Sequence, residues 1–134
     1  MKLLKNSNLM TPKEEGLMEL LWSSGEPQTT ADISSVLNGK GWNKSTIFNT
    51  IHSLLKKNYI KVSGVERSNT QYARQFESAV TREEYAAIVL TEKGFNKSSL
   101  ANIALAMTGS SHKDDSDNEK LIGELEEIIA QLRG

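Results

Sequence analysis

The chain has 134 residues, a length that suits one compact domain or one small domain with an appendage. The absence of cysteine excludes disulfides, thiolate metal sites and cysteine nucleophiles, and two histidines are too few for a histidine metal site. The formal net charge is −1, but residues 1–76 carry ten basic and six acidic side chains, whereas residues 77–134 carry six and eleven. This asymmetry suggests a polyanionic partner for the front half and a separate role for the back half.

Targeting and catalytic signals are weak throughout. The first residues contain too few apolar side chains for a signal peptide, and no apolar run approaches the roughly 20 residues that span a bilayer. We therefore expect a cytoplasmic protein without membrane insertion. Because the sequence contains neither a cysteine nor a glycine-rich phosphate loop, an enzyme is the least expected class, and we expect no cofactor and no metal.

The first helix is predicted over residues 12–23. Thr11 can cap it, Pro12 suits the first helical position, and Glu14 completes a capping box. Its apolar stripe consists of Leu17, Met18, Leu21 and Trp22.

Two further helices come next. Thr30 is the predicted cap of a short second helix, which the glycines at 39 and 41 end. Asn43 is the predicted cap of a third helix that stops near Asn58. The apolar face of this third helix consists of Ile47, Ile51, Leu54 and Leu55.

A hairpin completes the front half. Residues 59–62 and 70–76 have strand-like composition, and residues 63–69 form a polar turn between them. Three small helices and then a hairpin are typical of a winged helix-turn-helix domain, which we place at residues 1–78. The fold class is thus mainly α with a small β-hairpin.

The back half, residues 79–134, is predicted to be a helical dimerisation region. A second capping box at residues 81–84 begins a helix that Gly94 ends, and another short helix runs from Ser99 to Met107. A polar linker over residues 109–117 leads to a final helix with a heptad-like seam. The seam residues are Leu121, Leu125, Ile128 and Leu132.

The seam has two interpretations: packed on its own domain it is core, and shared with a second chain it is a dimer interface. Residues beyond 80 have little bulk to form a core of their own, which favours the homodimer. The predicted dimerisation residues are Tyr85, Ile88, Val89, Leu121, Leu125, Ile128 and Leu132. A dimer would place two reading helices about 34–36 Å apart on a DNA palindrome.

Residues 40–61, which include the third helix, contain five lysines and no acid, although the chain has 17 acids. Opposite the apolar face lies a hydroxyl, amide and lysine face suited to the major groove of DNA. The predicted base-reading residues are Ser45, Thr46, Asn49 and Ser53. The predicted contacts to the DNA backbone are Lys44, Lys56, Lys57 and Arg67, the last at the wing tip.

The alternative for this face is an ordinary solvated helix surface, although such surfaces usually mix glutamate with lysine. Phe48 lies at the edge of the apolar stripe, and we expect it to be partly buried rather than in contact with a thymine methyl group. His52 is expected to contact phosphate or to be a plain surface residue.

Taken together, these residues resemble the penicillinase repressor (BlaI/MecI) family of winged-helix transcriptional repressors. The match runs from Leu9 to Leu90. It rests on Thr11-Pro12, Glu15, Leu17-Met18 and Leu21-Trp22, on Thr30-Ala-Asp-Ile33 and Leu37, on Trp42, Thr46-Ile47, Leu54 and Lys56-Lys57, and on Tyr72.

The resemblance implies a sequence-specific repressor that binds double-stranded operator palindromes as a homodimer, as in antibiotic-resistance operons. It also implies a membrane sensor-protease as a partner that relieves repression. The chain departs from the family in two respects: residues 101–107 lack the Asn-Phe pair of the cleaved members, and the cysteines of the copper-sensing branch are absent. A protein-interaction adaptor that uses the winged fold as a scaffold is the competing hypothesis.

Overall fold

The computed structural model describes residues 8–68, 71–109 and 115–134. The elements are α1 (Pro12–Ser24), β1 (Gln28–Thr29), α2 (Thr30–Leu37), α3 (Lys44–Lys56), β2 (Ile60–Ser68), β3 (Gln71–Ser78), α4 (Arg82–Glu92), α5 (Leu100–Gly109) and α6 (Asp115–Arg133). Short 3₁₀ turns lie at Asn38–Lys40 and Lys97–Ser99. Three helices and a small sheet with a two-stranded wing form a winged helix-turn-helix, so the predicted fold class is confirmed.

Reciprocal hydrogen bonds fix the first turns of α1 and α4. The Thr11 hydroxyl accepts from the Glu14 amide, and the Glu14 carboxylate accepts from the Thr11 amide. Thr81 and Glu84 form the same pair at the start of α4. Each pair satisfies two backbone donors that have no partner inside the helix. Both predicted capping boxes are therefore confirmed.

The predicted cap of α2 was wrong by one residue. Thr29, and not Thr30, caps the helix, because Asp32 stands three residues after Thr29 and can return the hydrogen bond. The Asp32 amide donates to the Thr29 hydroxyl at 3.1 Å, and the Thr29 amide donates to the Asp32 carboxylate at 3.0 Å.

The sheet is antiparallel, with strand order β1-β3-β2. The sequence pattern did not predict β1, whose two residues pair with Phe76 and Gln75 of β3. It also ended β2 too early, since the strand continues to Ser68 as the first half of the wing. A register shift between Val62 and Gly64 interrupts the alternation of side chains, which explains why this stretch resembled a turn.

The core lies where α1, α2, α3 and the sheet meet. Its buried apolar side chains include most of the predicted stripes of α1 and α3 and are joined by residues of α2, of the strands and of α4. They are Met10, Leu17, Met18, Leu21, Ile33, Leu37, Ile47, Ile51, Leu54, Tyr59, Ile60, Phe76 and Tyr85. Trp22 and Leu55, the other two residues of those stripes, are partly buried and pack against this core.

The chain divides into two compact units, with the division after Gly94. The first unit contains α1 to α4, so α4 is packed with the winged-helix domain within one chain. The second contains α5 and α6, and α6 begins at Asp115, inside the predicted linker; residues 110–114 of that linker lie outside the described residues. The assignment of residues 79–134 to dimerisation stays a prediction.

Burial differs sharply between the two units. In the second unit, burial is described for residues 95–109 and 118–134, and none of these side chains is buried. Among the described residues, no helix combines the length and the apolar composition needed to cross a membrane.

The corrected cap of α2 yields a test. We expect Thr29→Ala to lower the free energy of unfolding by about 1 kcal/mol, because it leaves the Asp32 amide without its cap. Thr30→Ala is the matched control and should cost much less, since Thr30 is the first residue inside the helix. Chemical denaturation of both variants measures the difference, and equal losses would contradict the assignment.

Candidate nucleic-acid interface

The outward face of α3 carries side chains that can pair with both bases and phosphates. Ser45, Asn49, His52 and Lys56 succeed one another at helical spacing and are all exposed. Lys44, at the first position of the helix, is also exposed. The sequence thus predicted correctly which face of this helix is turned away from the core.

The N-terminal end of α3 is ordered by its cap. The Asn43 side chain accepts from the Thr46 amide at 2.8 Å, and the first turn contains no acid. Thr46 itself is half-buried beside this cap. Because the amino end of a helix carries partial positive charge, this end is electrostatically suited to a phosphate.

Phe48 extends the exposed surface with an apolar group. The sequence pattern predicted partial burial, but the side chain is 55% exposed. Its ring meets His52 edge-on, with 4.4 Å between the ring centroids. An exposed aromatic ring beside amide and hydroxyl groups provides an apolar contact of the kind that a thymine methyl group accepts.

Ser53 and Lys57, two predicted DNA contacts, bond inward instead. They lie four residues apart, and both donate hydrogen bonds to the carboxylate of Glu14 on α1, a residue that is only 3% exposed. The Lys57 ammonium donates to Glu14 Oε1 at 2.8 Å, and the Ser53 hydroxyl donates to Glu14 Oε2. These two side chains therefore attach α3 to α1.

The pKa of Glu14 reflects this pairing. Burial acts to raise it and is the largest single influence, but the hydrogen bonds from Lys57, Ser53 and Thr11 and the charge of Lys57 together outweigh burial. The net effect lowers the pKa from its ordinary value of 4.5, so the carboxylate is ionised at neutral pH. The sequence indicated only half of this role, the capping box with Thr11.

The loop before α3 is anchored by Trp42. Its indole packs against Gly16 of α1, where an added Cβ would lie 3.3 Å from the ring. The Lys13 ammonium sits 4.4 Å from the centre of the same indole. Sequence reasoning had not assigned these contacts, which fix the entry of the chain into α3.

The wing presents Arg67 close to its tip. Arg67 pairs across the hairpin with Tyr72, and its guanidinium lies 5.7 Å from the centre of the Tyr72 ring. Val65 and Tyr72 are both exposed on these strands. Residues 69–70, between Ser68 and Gln71 in the sequence, lie outside the described residues.

The predicted dimerisation residues fall into two groups. On α4, Tyr85 is buried, and Ile88 and Val89 pack against the core of the first unit. On α6, Leu125, Ile128 and Leu132 are exposed and Leu121 is half-buried, with Ile122 and Ile129 exposed beside them. Within one chain, therefore, the α6 residues are available to a partner, whereas Tyr85 is engaged internally.

A model of the penicillinase repressor family matches residues 10–131 of the chain. A search of curated proteins gave no significant match.

Solved structures of bacterial regulators gave distant matches. They include the adhesin competence repressor AdcR of Streptococcus pyogenes (17% identity, 93% of this chain and 82% of that chain, TM-score 0.41). They also include a MepR mutant from multidrug-resistant S. aureus (15% identity, 93% and 80%, TM-score 0.45) and a Lactococcus lactis ZitR mutant (14% identity, 98% and 81%, TM-score 0.41). TM-scores this low do not establish a shared overall structure.

The Glu14 contacts predict a pH-dependent stability. At pH 7 we expect Glu14→Gln to lower the free energy of unfolding by about 1–3 kcal/mol, because the half-buried Lys57 loses its counter-charge. A lowered folded-state pKa stabilises the native state above the unfolded-state value and loses this effect as the pH falls. The difference between wild type and variant should therefore shrink as the pH falls below about 4.5.

Denaturation at a series of pH values checks this prediction. Glu15→Gln serves as the control, because Glu15 is the exposed neighbour on the same helix. A difference between wild type and Glu14→Gln that stayed constant from pH 7 to pH 3 would rule out an ionised Glu14 as its source.

Proposed function

The chain belongs to the penicillinase repressor family, and from this premise we propose that it represses transcription by binding operator DNA as a homodimer. The observation that carries the proposal is the outward face of α3. It is exposed, it lies within a 22-residue stretch that contains five lysines and no acid, and it belongs to the second helix of a helix-turn-helix pair.

In this proposal α3 enters the major groove with its N-terminal half against the bases. Ser45, Thr46 and Asn49 read base edges, since hydroxyls can donate or accept there and an asparagine can pair with adenine through two hydrogen bonds. Lys44 and Lys56, near the two ends of the helix, contact phosphates and supply affinity without sequence information. Arg67, close to the tip of the wing, contacts the DNA backbone.

Ser53 and Lys57 take a different part from the one the sequence suggested. Because both donate to Glu14, we assign them to holding α3 in place rather than to touching DNA. This assignment concentrates the base-reading role on the first turns of α3, which is the usual contact region of a recognition helix.

The apolar face of α6 supports the homodimer. Except for the half-buried Leu121, its leucines and isoleucines are exposed in one chain, and no side chain of residues 95–109 or 118–134 is buried. A helical segment without a core of its own gains stability by pairing with an apolar surface, and a second copy supplies an identical one. Two-fold pairing would also match the symmetry of a palindrome.

DNA binding itself is tested with a labelled palindrome from the promoter of the protein's own gene. We expect it to bind at least a hundredfold more tightly than a scrambled duplex of equal length, with affinity that falls steeply as salt rises. Equal binding of the two duplexes at moderate salt would reject the proposal. An adaptor would retain its partner after charge reversal of Lys44 and Lys56, whereas a repressor would lose its DNA.

Two substitutions on α3 should separate specificity from affinity. We expect Asn49→Ala to weaken binding to the operator at least tenfold while affecting the scrambled duplex little, because it removes a base contact. Lys56→Gln should weaken both duplexes and lower the slope of log K against log salt by about one, as one phosphate contact is lost.

Fluorescence anisotropy titrations at several salt concentrations measure both effects. Lys93→Gln, which removes an exposed lysine at the end of α4, is the charge-matched control and should leave the slope unchanged. Identical behaviour of Lys56→Gln and Lys93→Gln would remove Lys56 from the interface.

The dimer is tested on α6. We expect Ile128→Glu to convert the protein from dimer to monomer at micromolar concentration, because a charge would be buried in the apolar face. Sedimentation velocity reads the mass, and Glu127→Gln on the same helix is the control. A wild-type protein that sedimented as a monomer would contradict the dimer directly.

A further inference from the structure

Residues 8–11, here called the N-terminal strap, have no regular secondary structure and precede α1. Side chains from α1, α4 and the junction of α3 and β2 bind their backbone polar groups. Such contacts are informative because backbone groups away from water must find partners in the protein.

One side of the strap is bound by the C-terminal end of α3. The Lys57 ammonium donates to the Leu9 carbonyl at 3.0 Å, and the Asn8 amide side chain donates to the Lys57 carbonyl at 3.4 Å. Two residues later, the Tyr59 hydroxyl donates to the Asn8 carbonyl at 2.7 Å. The chain thus holds the last turn of α3 through the strap as well as through Glu14.

The other side of the strap is bound by α4. The Met10 amide donates to the Tyr85 hydroxyl at 2.8 Å, and Met10 and Tyr85 are each only 7% exposed. The ring of Tyr85 also meets that of Tyr59 edge-on, with 5.4 Å between centroids. Burial raises the pKa of both tyrosines, so both hydroxyls stay protonated at neutral pH.

We propose that Tyr85 is a positioning residue for DNA binding, which acts through the N-terminal strap to hold the C-terminal end of α3. The proposal rests on the proposed function, since it needs α3 to be the reading helix. Tyr85 lies on a different helix from the DNA-facing side chains, and in one chain it is buried rather than exposed to DNA. Its effect on DNA is therefore indirect.

The physical reason is the loss of a partner in a buried place. Without the Tyr85 hydroxyl, the buried Met10 amide loses its hydrogen-bond acceptor. The strap then lowers its free energy by moving to where this amide can bond to water. Displacement of the strap removes the contacts to Lys57 and Tyr59, so the end of α3 keeps its apolar packing and its hydrogen bonds to Glu14 but loses those to the strap. A smaller fraction of molecules then presents α3 correctly, and the apparent affinity falls by that fraction.

The helix that carries Tyr85, α4, is the last helix before the second unit. Any change in the back half that displaced Tyr85 would loosen the strap and weaken DNA binding, without touching a DNA-contacting residue.

The decisive variant is Tyr85→Phe, which keeps the ring and removes the hydroxyl. We expect operator affinity to fall about tenfold, as for a binding-competent fraction of about one in ten. The slope of log K against log salt should not change, because every phosphate contact is still made in the bound state. Lys56→Gln, by contrast, should lower that slope.

A second measurement needs no DNA. The amides of Asn58 and Tyr59, which bond to carbonyls of Leu55 and Leu54 at the end of α3, should exchange hydrogen about tenfold faster in Tyr85→Phe. Trp22→Phe is the matched control: it removes the part-buried indole donor to Ser78 and Val80, beside Tyr85, and takes away no hydrogen bond described for the strap. It should lower stability while leaving both operator affinity and these exchange rates unchanged.

A double variant tests whether the strap acts as a unit. Tyr59→Phe removes the hydroxyl contact at Asn8, and combined with Tyr85→Phe it should cost little more affinity than either change alone. Fully multiplicative losses would show two independent residues and overturn the proposal. A change in sedimentation mass of Tyr85→Phe would assign the residue to the dimer interface and also overturn it.

The DNA-binding and hydrogen-exchange measurements test the repressor role and the role of Tyr85 separately. If the wild-type protein bound no duplex specifically, the proposed function would fall, whereas faster exchange in Tyr85→Phe would still demonstrate the link from α4 to α3. If the wild type bound its operator and Tyr85→Phe bound it equally well, only the positioning role would fall.

Discussion

A buried carboxylate needs hydrogen-bond donors and a positive charge beside it, and the position of α3 depends on the groups that serve Glu14 in this way. Glu14 is nearly buried and accepts from Thr11, Ser53 and Lys57. Removing one partner of such a pair usually costs more than the pair contributes, because an uncompensated charge remains. The interaction is therefore valuable chiefly as a constraint: it requires Ser53 and Lys57 to face α1.

That constraint also determines which side chains of α3 are exposed to solvent. Ser53 and Lys57 are one turn apart, so fixing both fixes the rotation of the helix about its own axis. With that rotation fixed, Ser45, Asn49 and Lys56 face outward, and Ile47 and Ile51 face inward. Apolar burial alone would permit some rolling of the helix, whereas two hydrogen bonds to one carboxylate permit little. Trp42 fixes the opposite end by packing on Gly16.

Local signals in the sequence were sufficient for most of the elements. Capping boxes and helical periodicity placed α1, α3 and α4 correctly, because those signals act within one or two turns. The strand β1 was missed because two residues have no periodicity, and the end of β2 was missed because a bulge breaks alternation. Lys57 looked like a phosphate contact because its partner, Glu14, lies 43 residues away and only the fold brings them together.

A long-range contact also places α4, which belongs to the acidic back half by composition, in the core of the first unit. Composition separated a basic front from an acidic back, yet α4 packs into the first unit through Tyr85, and the segment after Gly94 has no buried side chain among its described residues. Such a segment lacks a core of its own, and this is the observation that supports the proposed homodimer. Tyr85, which lies in the first unit, holds the strap that reaches the end of α3 and so joins α4 to the third helix.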